Sequence, residues 1–393
     1  MPKKINVGLV GYQFMGKAHS HAYKDMSFFF PNAKSYPAMR ALCGRNKQGV
    51  QAAADQFGWA TVETSWKRLV QRDDIDLIDV STPGNTHADI AIAAAENGKH
   101  VFCEKPLANN LQEARSMLKA VQKANVKHMV AYNYRRVPAV MLAKQIIDEG
   151  RIGDIYHWRA VYLQDWIIDP DFPLVWRLQK NKAGSGPHGD LNAHIVDLAH
   201  YLVGDISEVV GTDATFIKER PIVDEINSAL GASQGEGKKK GRVSVDDATM
   251  FLSRFKNGAL GSFEATRFAA GRRNHNRFEI NGSKGSLAFN LEKMNELQFY
   301  NRDDPAHLQG FREIIVNEGG VHPFMDAWWP PGHSIGWEHT FIHEVYDLMQ
   351  SIGSRSKATA LQPDFADGVK TQAVLEAVSL SAKERSWIRI KDL

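Results

Sequence analysis

Lys105, Asp190 and His194 are the side chains whose types and spacing suggest a single piece of chemistry. Lys105 closes the run Val101-Phe102-Cys103-Glu104-Lys105-Pro106, a short apolar stretch followed by a cation and a proline that ends the strand. Open α/β sheets gather ligands beyond the carboxyl ends of their strands, so the ammonium is predicted to project there. Asp190 and His194, in Gly189-Asp190-Leu191-Asn192-Ala193-His194, are four apart and predicted to stack on one helical face. A cation, a titratable imidazole and an orienting carboxylate suit removal of a hydroxyl proton while hydride leaves the same carbon. His188 competes with His194 as the base, but it sits in a loop ahead of the helix, and substrate contact is its expected role.

Hydride needs an acceptor, and the start of the chain predicts one. Ile5-Asn6-Val7-Gly8-Leu9-Val10 has a buried-strand pattern and runs into Gly11-Tyr12-Gln13-Phe14-Met15-Gly16, then a helix-compatible segment. This is a G-x-G-x-x-G dinucleotide loop with one change: Gln13 stands where glycine usually lets the backbone approach the pyrophosphate. Gly11, Gln13, Phe14, Met15 and Gly16 are the expected pyrophosphate contacts, at a helix start near Phe14. The second strand, Met39–Cys43, leads into Gly44-Arg45-Asn46, without the acid that usually holds the ribose. Arg45 suits either a 2′-phosphate, which favours NADP, or the adenine face, and a ribose diol held by Asn46 would favour NAD. Both cofactors stay open.

Strand patterns recur at Ile75–Val80, His100–Cys103 and Val126–Ala131, separated by helical patterns over Asn46–Phe57, Ser65–Gln71, His87–Asn97 and Asn110–Ala124. Such alternation predicts right-handed parallel crossovers and a doubly wound Rossmann domain over residues 1–136. Ser81-Thr82-Pro83 ends its strand on the same edge as Lys105, and its extended Thr-Pro fits beside a nicotinamide or a plain turn.

Residues 137–393 are assigned to a second, α+β domain for substrate binding and oligomerisation, opening with a helix at Ala139–Glu149. Strand patterns at Ile155–Tyr162, Val209–Phe216, Ala248–Phe255 and Leu260–Ala265, and a hairpin over Arg277–Phe289, predict an open, largely antiparallel sheet. The helix Gly189–Leu202 should lie on its face, and the last helix, Pro363–Lys383, should pack back near the first domain. Gln164-Asp165-Trp166 and Trp176-Arg177 flank a loop with Pro170, Asp171 and Pro173 and are the expected sugar contacts, aromatic faces meeting C–H surface and polar groups meeting hydroxyls. Each tryptophan fits the core equally well. Arg135 fits either a substrate contact or a clamp between domains.

Taken in order, the Gly11–Gly16 loop, Ser81-Thr82-Pro83 with His87, Glu104-Lys105-Pro106, Asn133-Tyr134-Arg135 and Gly189-Asp190 through His194 make the chain resemble the glucose-fructose oxidoreductase/inositol dehydrogenase (Gfo/Idh/MocA) family over essentially its whole length. Phe14–Ser20, Tyr162–Trp166 and Ala183-Gly184-Ser185-Gly186 look most like its levoglucosan dehydrogenase and glycoside 3-dehydrogenase branch. The resemblance implies an NAD- or NADP-dependent sugar dehydrogenase acting at C3, with Ser81, Thr82, Pro83, Asn85, His87, Glu104, Lys105 and Asn133 at the cofactor. It implies Lys105, Asp190 and His194 in catalysis, and Lys105, Arg135, Gln164, Asp165, Trp166, Trp176, Arg177, His188, Asp190 and His194 around a sugar. Transient oxidation with glycoside cleavage, and inositol oxidation, are the alternatives the family offers. A nucleotide-binding sensor would have no use for Lys105, Asp190 and His194 together. A homo-oligomer, dimer or tetramer, is also implied.

Composition sets the remaining bounds. At 393 residues and 43% hydrophobic content, the chain can fill two cores. A net charge of +3 is too small and dispersed for nucleic acid, and Lys238–Lys240 follow the polar run Gly231–Gly237, expected to be a solvated loop. No apolar stretch has membrane-spanning length and no signal-peptide core is evident, so a cytoplasmic protein is expected. Two cysteines, Cys43 and Cys103, fall in predicted buried strands and argue against disulfides. His339 and His343 are four apart on a predicted helix near Glu344 and His333, but Thr340 replaces the glutamate a metalloprotease motif requires, and no metal is expected.

Overall fold

A computed structural model describes residues 3–223, 239–354 and 362–393. The polar run 231–237 and Lys238 lie outside these residues. The described chain divides into two compact units, one of Met1–Arg136 with Gly336–Lys370 and one of Val137–Ile335 with Thr371–Leu393.

In the first unit, β1 (Lys3–Val10), α1 (Phe14–Phe29), β2 (Ser35–Cys43), α2 (Lys47–Phe57), β3 (Thr61–Glu63), α3 (Trp66–Val70), β4 (Leu77–Val80), α4 (His87–Glu96), β5 (His100–Cys103), α5 (Leu111–Ala124) and β6 (His128–Val130) alternate. The strands pair in parallel in the order β3-β2-β1-β4-β5-β6. Parallel strands are covered on both faces, which is why β4 and β5 read as nearly continuous apolar runs. The order reverses between β1 and β4, where Ser81 donates its backbone N–H to Val10 O at 2.9 Å. That switch point is where such sheets bind ligands. The short β3 carries no apolar run and was not anticipated.

The second unit holds α6 (Pro138–Asp148), β7 (Ile155–Leu163), α7 (Lys180–Ala183), α8 (Ala193–Leu202), β8 (Ile206–Ala214), β9 (Glu219–Pro221), β10 (Lys240–Arg242), β11 (Ala248–Phe255), β12 (Leu260–Thr266), β13 (His275–Gly282), β14 (Gly285–Asn290), β15 (Glu296–Asn301), β16 (Arg312–Ile315) and β17 (Ile388–Arg389). Nine strands form one sheet in the order β16-β15-β14-β13-β7-β12-β11-β8-β17. All its pairings are antiparallel except β7 with β12. α8 packs on β7, and α6 on β14 and β15. Along β11, buried and exposed residues alternate, which leaves Met250 and Leu252 on a bare face.

The sequence placed everything from residue 137 onward in the second domain, but α9 (Trp337–Gly353) belongs with the first unit. There it packs on α1, Trp337 stacking on Phe14 at 5.5 Å and Met349 O accepting the Ser35 hydroxyl at 2.6 Å. The amphipathic pattern of Phe341, Ile342, Val345 and Leu348 specifies a buried helix face without specifying its sheet. The last helix, α10 (Phe365–Glu384), begins in the first unit and continues in the second. No helix among the described residues is long and apolar enough to cross a membrane.

Candidate active site

Gly11 has φ +105°, and a Cβ there would lie 2.6 Å from Ser81 O; one on Gly16 would lie 2.2 Å from Gly11 O. Both positions therefore need glycine, and the turn they make brings the start of α1 against the switch point. Gln13 is exposed and extended at φ −77°, so its backbone demands no glycine. Gln13 is the N-cap of α1 without a side-chain cap, and no acidic residue sits in the first turn, which leaves the end suited to an anion. Phe14 and Met15 open that turn. At the end of β2, the Tyr12 ring lies so close over Gly44 and Gly49 that a Cβ on either would meet it within 2.7 Å. Arg45 is exposed, while Asn46 spends its carbonyl oxygen capping α2 through Gly49 N at 2.9 Å.

At the carboxyl edge of β4 and β5 the predicted residues divide into exposed and interior ones. Ser81, Thr82 and Pro83 are half-buried, Asn85 is exposed, and Lys105 is half-buried. His87 is buried, with Nε2 2.7 Å from Thr82 O and Nδ1 3.1 Å from Pro106 O. It ties the loop after β4 to the loop after β5, and burial pushes its pKa below the ordinary value. With both nitrogens against protein carbonyls it has none left for the cofactor contact expected of it. Glu104 is likewise interior: Oε1 lies 3.0 Å from His19 Nε2, and Oε2 accepts the Lys105 backbone N–H at 3.0 Å. His19 in turn meets Asp79 at 2.8 Å. Neither His19 nor Asp79 was singled out by the sequence. Asn133 donates its amide to Thr340 Oγ1 at 2.9 Å, and Arg135 is buried against Asp367 at 3.6 Å. Of the two roles expected of Arg135, substrate contact or clamp, its ion pair within its own unit is a structural tie and makes no sugar contact by itself.

In the second unit the register of three strands builds the site. Leu163 on β7 pairs with Thr266 on β12 and with His275 on β13. Gln164, Arg267 and Asn274, each one residue beyond a paired position, therefore emerge at one end of the sheet. Asn274 Oδ1 accepts the Tyr162 hydroxyl at 2.7 Å and the Gln164 amide at 3.0 Å; Gln164 Oε1 accepts the Trp166 indole N–H at 2.8 Å. Arg267 lies 5.2 Å over the Trp166 ring and 2.5 Å from Asp190 Oδ2. The Tyr162 and His194 rings are 5.9 Å apart. A connected set thus runs from Asp190 through Arg267, Trp166, Gln164, Asn274 and Tyr162 to His194. Arg267 and Asn274 were missed because each merely flanks a strand in the sequence.

Asp190 lies in a π-helical turn, His188–Asn192, not in the α-helix expected from Gly189; the α-helix begins at Ala193. Such widened turns often mark functional sites. Asp246 fixes its entry by accepting Gly186 N at 2.6 Å and His188 N at 2.8 Å. The His188 ring is buried, with Nε2 2.8 Å from Leu375 O and Nδ1 3.1 Å from the Asn192 amide. Because a carbonyl only accepts, Nε2 carries the hydrogen and Nδ1 takes that of Asn192. His188 has no nitrogen left for a sugar, which removes it both as base and as substrate contact. Asp165 bonds Arg273 at 3.1 Å and Gly271 N at 3.0 Å, which braces its loop. Trp166 is half-buried, one edge against Ile167, Val175, Leu178, Val243 and Val245. Trp176 pairs with its neighbour Arg177, whose guanidinium sits 4.4 Å over the ring.

His339 Nδ1 accepts Gly336 N at 3.0 Å, and buried His343 meets Arg136 O at 2.9 Å with its pKa pushed down to about 3 by burial. Among the described residues, no group of three His, Cys, Asp or Glu is arranged to hold a metal.

Residues 5–132 match the oxidoreductase family with an NAD-binding Rossmann fold, and residues 140–288 match the GFO/IDH/MocA C-terminal domain. The chain is 44% identical over 392 residues to levoglucosan dehydrogenase of Pseudarthrobacter phenanthrenivorans, covering 100% of this chain and 99% of that protein. The crystal structure of an oxidoreductase domain protein from Kribbella flavida is similar at 50% identity and TM-score 0.92, over 99% of this chain and 100% of that one. A levoglucosan dehydrogenase in complex with NADH and levoglucosan is similar at 44% identity and TM-score 0.91, over 98% and 99% of the two chains.

Proposed function

We propose, for a chain that belongs to the GFO/IDH/MocA family of oxidoreductases, that it oxidises the C3 hydroxyl of a pyranose-type sugar or anhydrosugar with a nicotinamide dinucleotide. The connected set from Asp190 to His194 carries this reading, because it links an imidazole, through the phenol beside it, to further sugar-compatible groups: an amide, an indole face and a guanidinium. Full-length similarity to levoglucosan dehydrogenase supports the substrate class.

The Gly11–Gly16 turn fits the dinucleotide: a side chain on either glycine would strike the backbone at Ser81 or Gly11, and the turn leads into an α1 N-terminus that carries no side-chain cap and no acidic residue. Once bound, the nicotinamide accepts the hydride. His194 takes the hydroxyl proton, Asp190 orients the imidazole and is itself held by Arg267, and Lys105 stabilises the developing alkoxide. Electrostatic help of that kind contributes about 3 kcal/mol at a water-excluded site. Trp166 and Gln164 hold the sugar. The bare face of the nine-stranded sheet, with Met250 and Leu252, suits pairing with a second copy.

The test is NMR product analysis after incubation with levoglucosan, alkyl glucosides and inositols, with NAD and NADP in turn. A 3-keto product with its glycosidic bond intact is expected. An aldonolactone, a released aglycone, or turnover of inositol alone would overturn the reading.

A further inference from the structure

His19 occupies the second turn of the cofactor-binding helix α1, yet it is fully buried and points into the sheet. Its Nδ1 lies 2.8 and 3.1 Å from the two Asp79 oxygens, and its Nε2 lies 3.0 Å from Glu104 Oε1. Both carboxylates collect further donors. The Tyr23 hydroxyl reaches Asp79 Oδ2 at 2.8 Å, the Ser81 hydroxyl lies 3.3 Å from Asp79 Oδ1, and the Lys105 backbone N–H reaches Glu104 Oε2 at 3.0 Å. The ring stacks on Phe102 at 5.0 Å and meets Phe341 at 5.5 Å, so no water competes for it from those sides.

We propose that His19 is a positioning residue, a buried imidazolium that ties Asp79 of β4 to Glu104 at the end of β5 and thereby fixes the backbone from which Lys105 projects. The proposal rests on Lys105 serving the reaction described above. A neutral imidazole has one N–H, and this ring faces an acceptor on each side. β4 and β5 are neighbours, with Asp79 paired to Phe102 and Val80 to Cys103, so the ring spans two adjacent strand ends. Burial alone would lower the histidine's pKa, but the charge of Asp79 and the hydrogen bonds that the ring donates to both carboxylates hold it up to about 10. The other titratable groups nearby are Tyr23 on α1, Glu344 of α9, whose charge acts on Tyr23, and the Cys103 thiol, which burial and these carboxylates push upward. Without the imidazolium, two like charges would face each other in the interior, and one would take up a proton. Glu104 would then no longer hold Lys105 in one geometry.

The test pairs ¹⁵N-histidine spectra of the unaltered protein with kinetics of His19→Gln, Tyr23→Phe and Lys105→Ala. At pH 8.5, one histidine should have both ring nitrogens protonated, and that signal should move in Tyr23→Phe. Misplacement of a reacting group typically lowers rates by up to about 100-fold, so per folded molecule His19→Gln should lose about 10- to 100-fold in kcat. Its cofactor affinity should stay near the wild type, and a new pH dependence should appear around neutrality. A neutral His19 at pH 8.5, or wild-type kcat and pH profile in folded His19→Gln when Lys105→Ala is inactive, would overturn the proposal. An active Lys105→Ala would instead sink the functional reading, leaving the spectrum to decide the state of the buried pair. Should His19→Gln fail to fold, the spectrum and the Tyr23→Phe profile still decide it.

Discussion

Lys105 reaches the edge of its sheet because β5 runs parallel to β4 and β6, whereas Arg267 and Asn274 emerge at the same sheet end as Gln164 because β12 is parallel and β13 antiparallel to β7. In the first unit, a parallel sheet sends every strand's carboxyl end the same way, so motifs far apart in sequence meet by topology. In the second, direction alternates, and which residues meet depends on register that no short motif encodes. The two sides also treat charge differently. Glu104, Asp79 and His19 are interior and bonded to one another, while the half-exposed Asp190 is held by an arginine that is 1% exposed. The first site is fixed by burial, the second by one charged bond from a buried partner.

Several substitutions separate these two modes. The largest effect is expected from Lys105→Ala and His194→Ala, each lowering kcat by about 10³-fold or more while leaving cofactor binding by calorimetry nearly unchanged. Wild-type turnover in either would dissolve the division of labour between the units. Arg267→Leu should follow, with kcat reduced about 100-fold, because Asp190 loses its anchor and an oriented second partner commonly matters by that much. A loss of thermal stability with kcat intact would show the pair to be structural only.

Stability against pH probes the first unit. His19 has a raised pKa of about 10, so its contribution is complete below the unfolded value near 6.5 and is lost as pH rises towards 10. His343, depressed to about 3, works in the other direction: the unfolded chain takes up its proton first, so stability falls as pH drops from about 6.5 towards 3. Urea midpoints should therefore peak near neutrality. The alkaline limb, at up to about 1.4 kcal/mol per pH unit, should flatten in His19→Gln. An unchanged alkaline limb would count against a charged His19.

Trp166→Ala tests the second unit's grip on sugar. It should raise KM about 10-fold with a smaller change in kcat, since stacking acts on ground and transition states alike. The smallest effect belongs to exposed Arg45 at the end of β2. Arg45→Ala should weaken NADP by about 3- to 10-fold and NAD by less, a difference expected of a guanidinium that meets a 2′-phosphate. Equal losses in a binding titration would assign it to the adenine face.

Much of the first unit was legible because its signals are local. Gly11 and Gly16 announce their turn, and apolar runs at Leu77–Val80 and His100–Cys103 announce covered strands. What misled there was reading polar residues near the edge as ligand contacts. His87 and Glu104, expected at the cofactor, and Arg135, expected as a substrate contact or a clamp, turn inward, because each found protein acceptors or an opposite charge. In the second unit the strands themselves were legible from alternation, but the residues completing the site were not.

The sequence by itself determined the dinucleotide turn, the parallel α/β unit and the antiparallel-rich sheet, which follow from periodicity and glycine spacing, and by residue type and spacing it singled out Lys105, Asp190 and His194 as the candidates for the chemistry. Only the tertiary structure decided that α9 joins the first unit, that Asp190 sits in a π turn bonded to Arg267, and that His188 is locked by Leu375 and Asn192. These outcomes depend on which surfaces pair across long stretches of chain, and an amphipathic helix or a polar strand end offers the same face to several partners until packing and hydrogen-bond satisfaction select one.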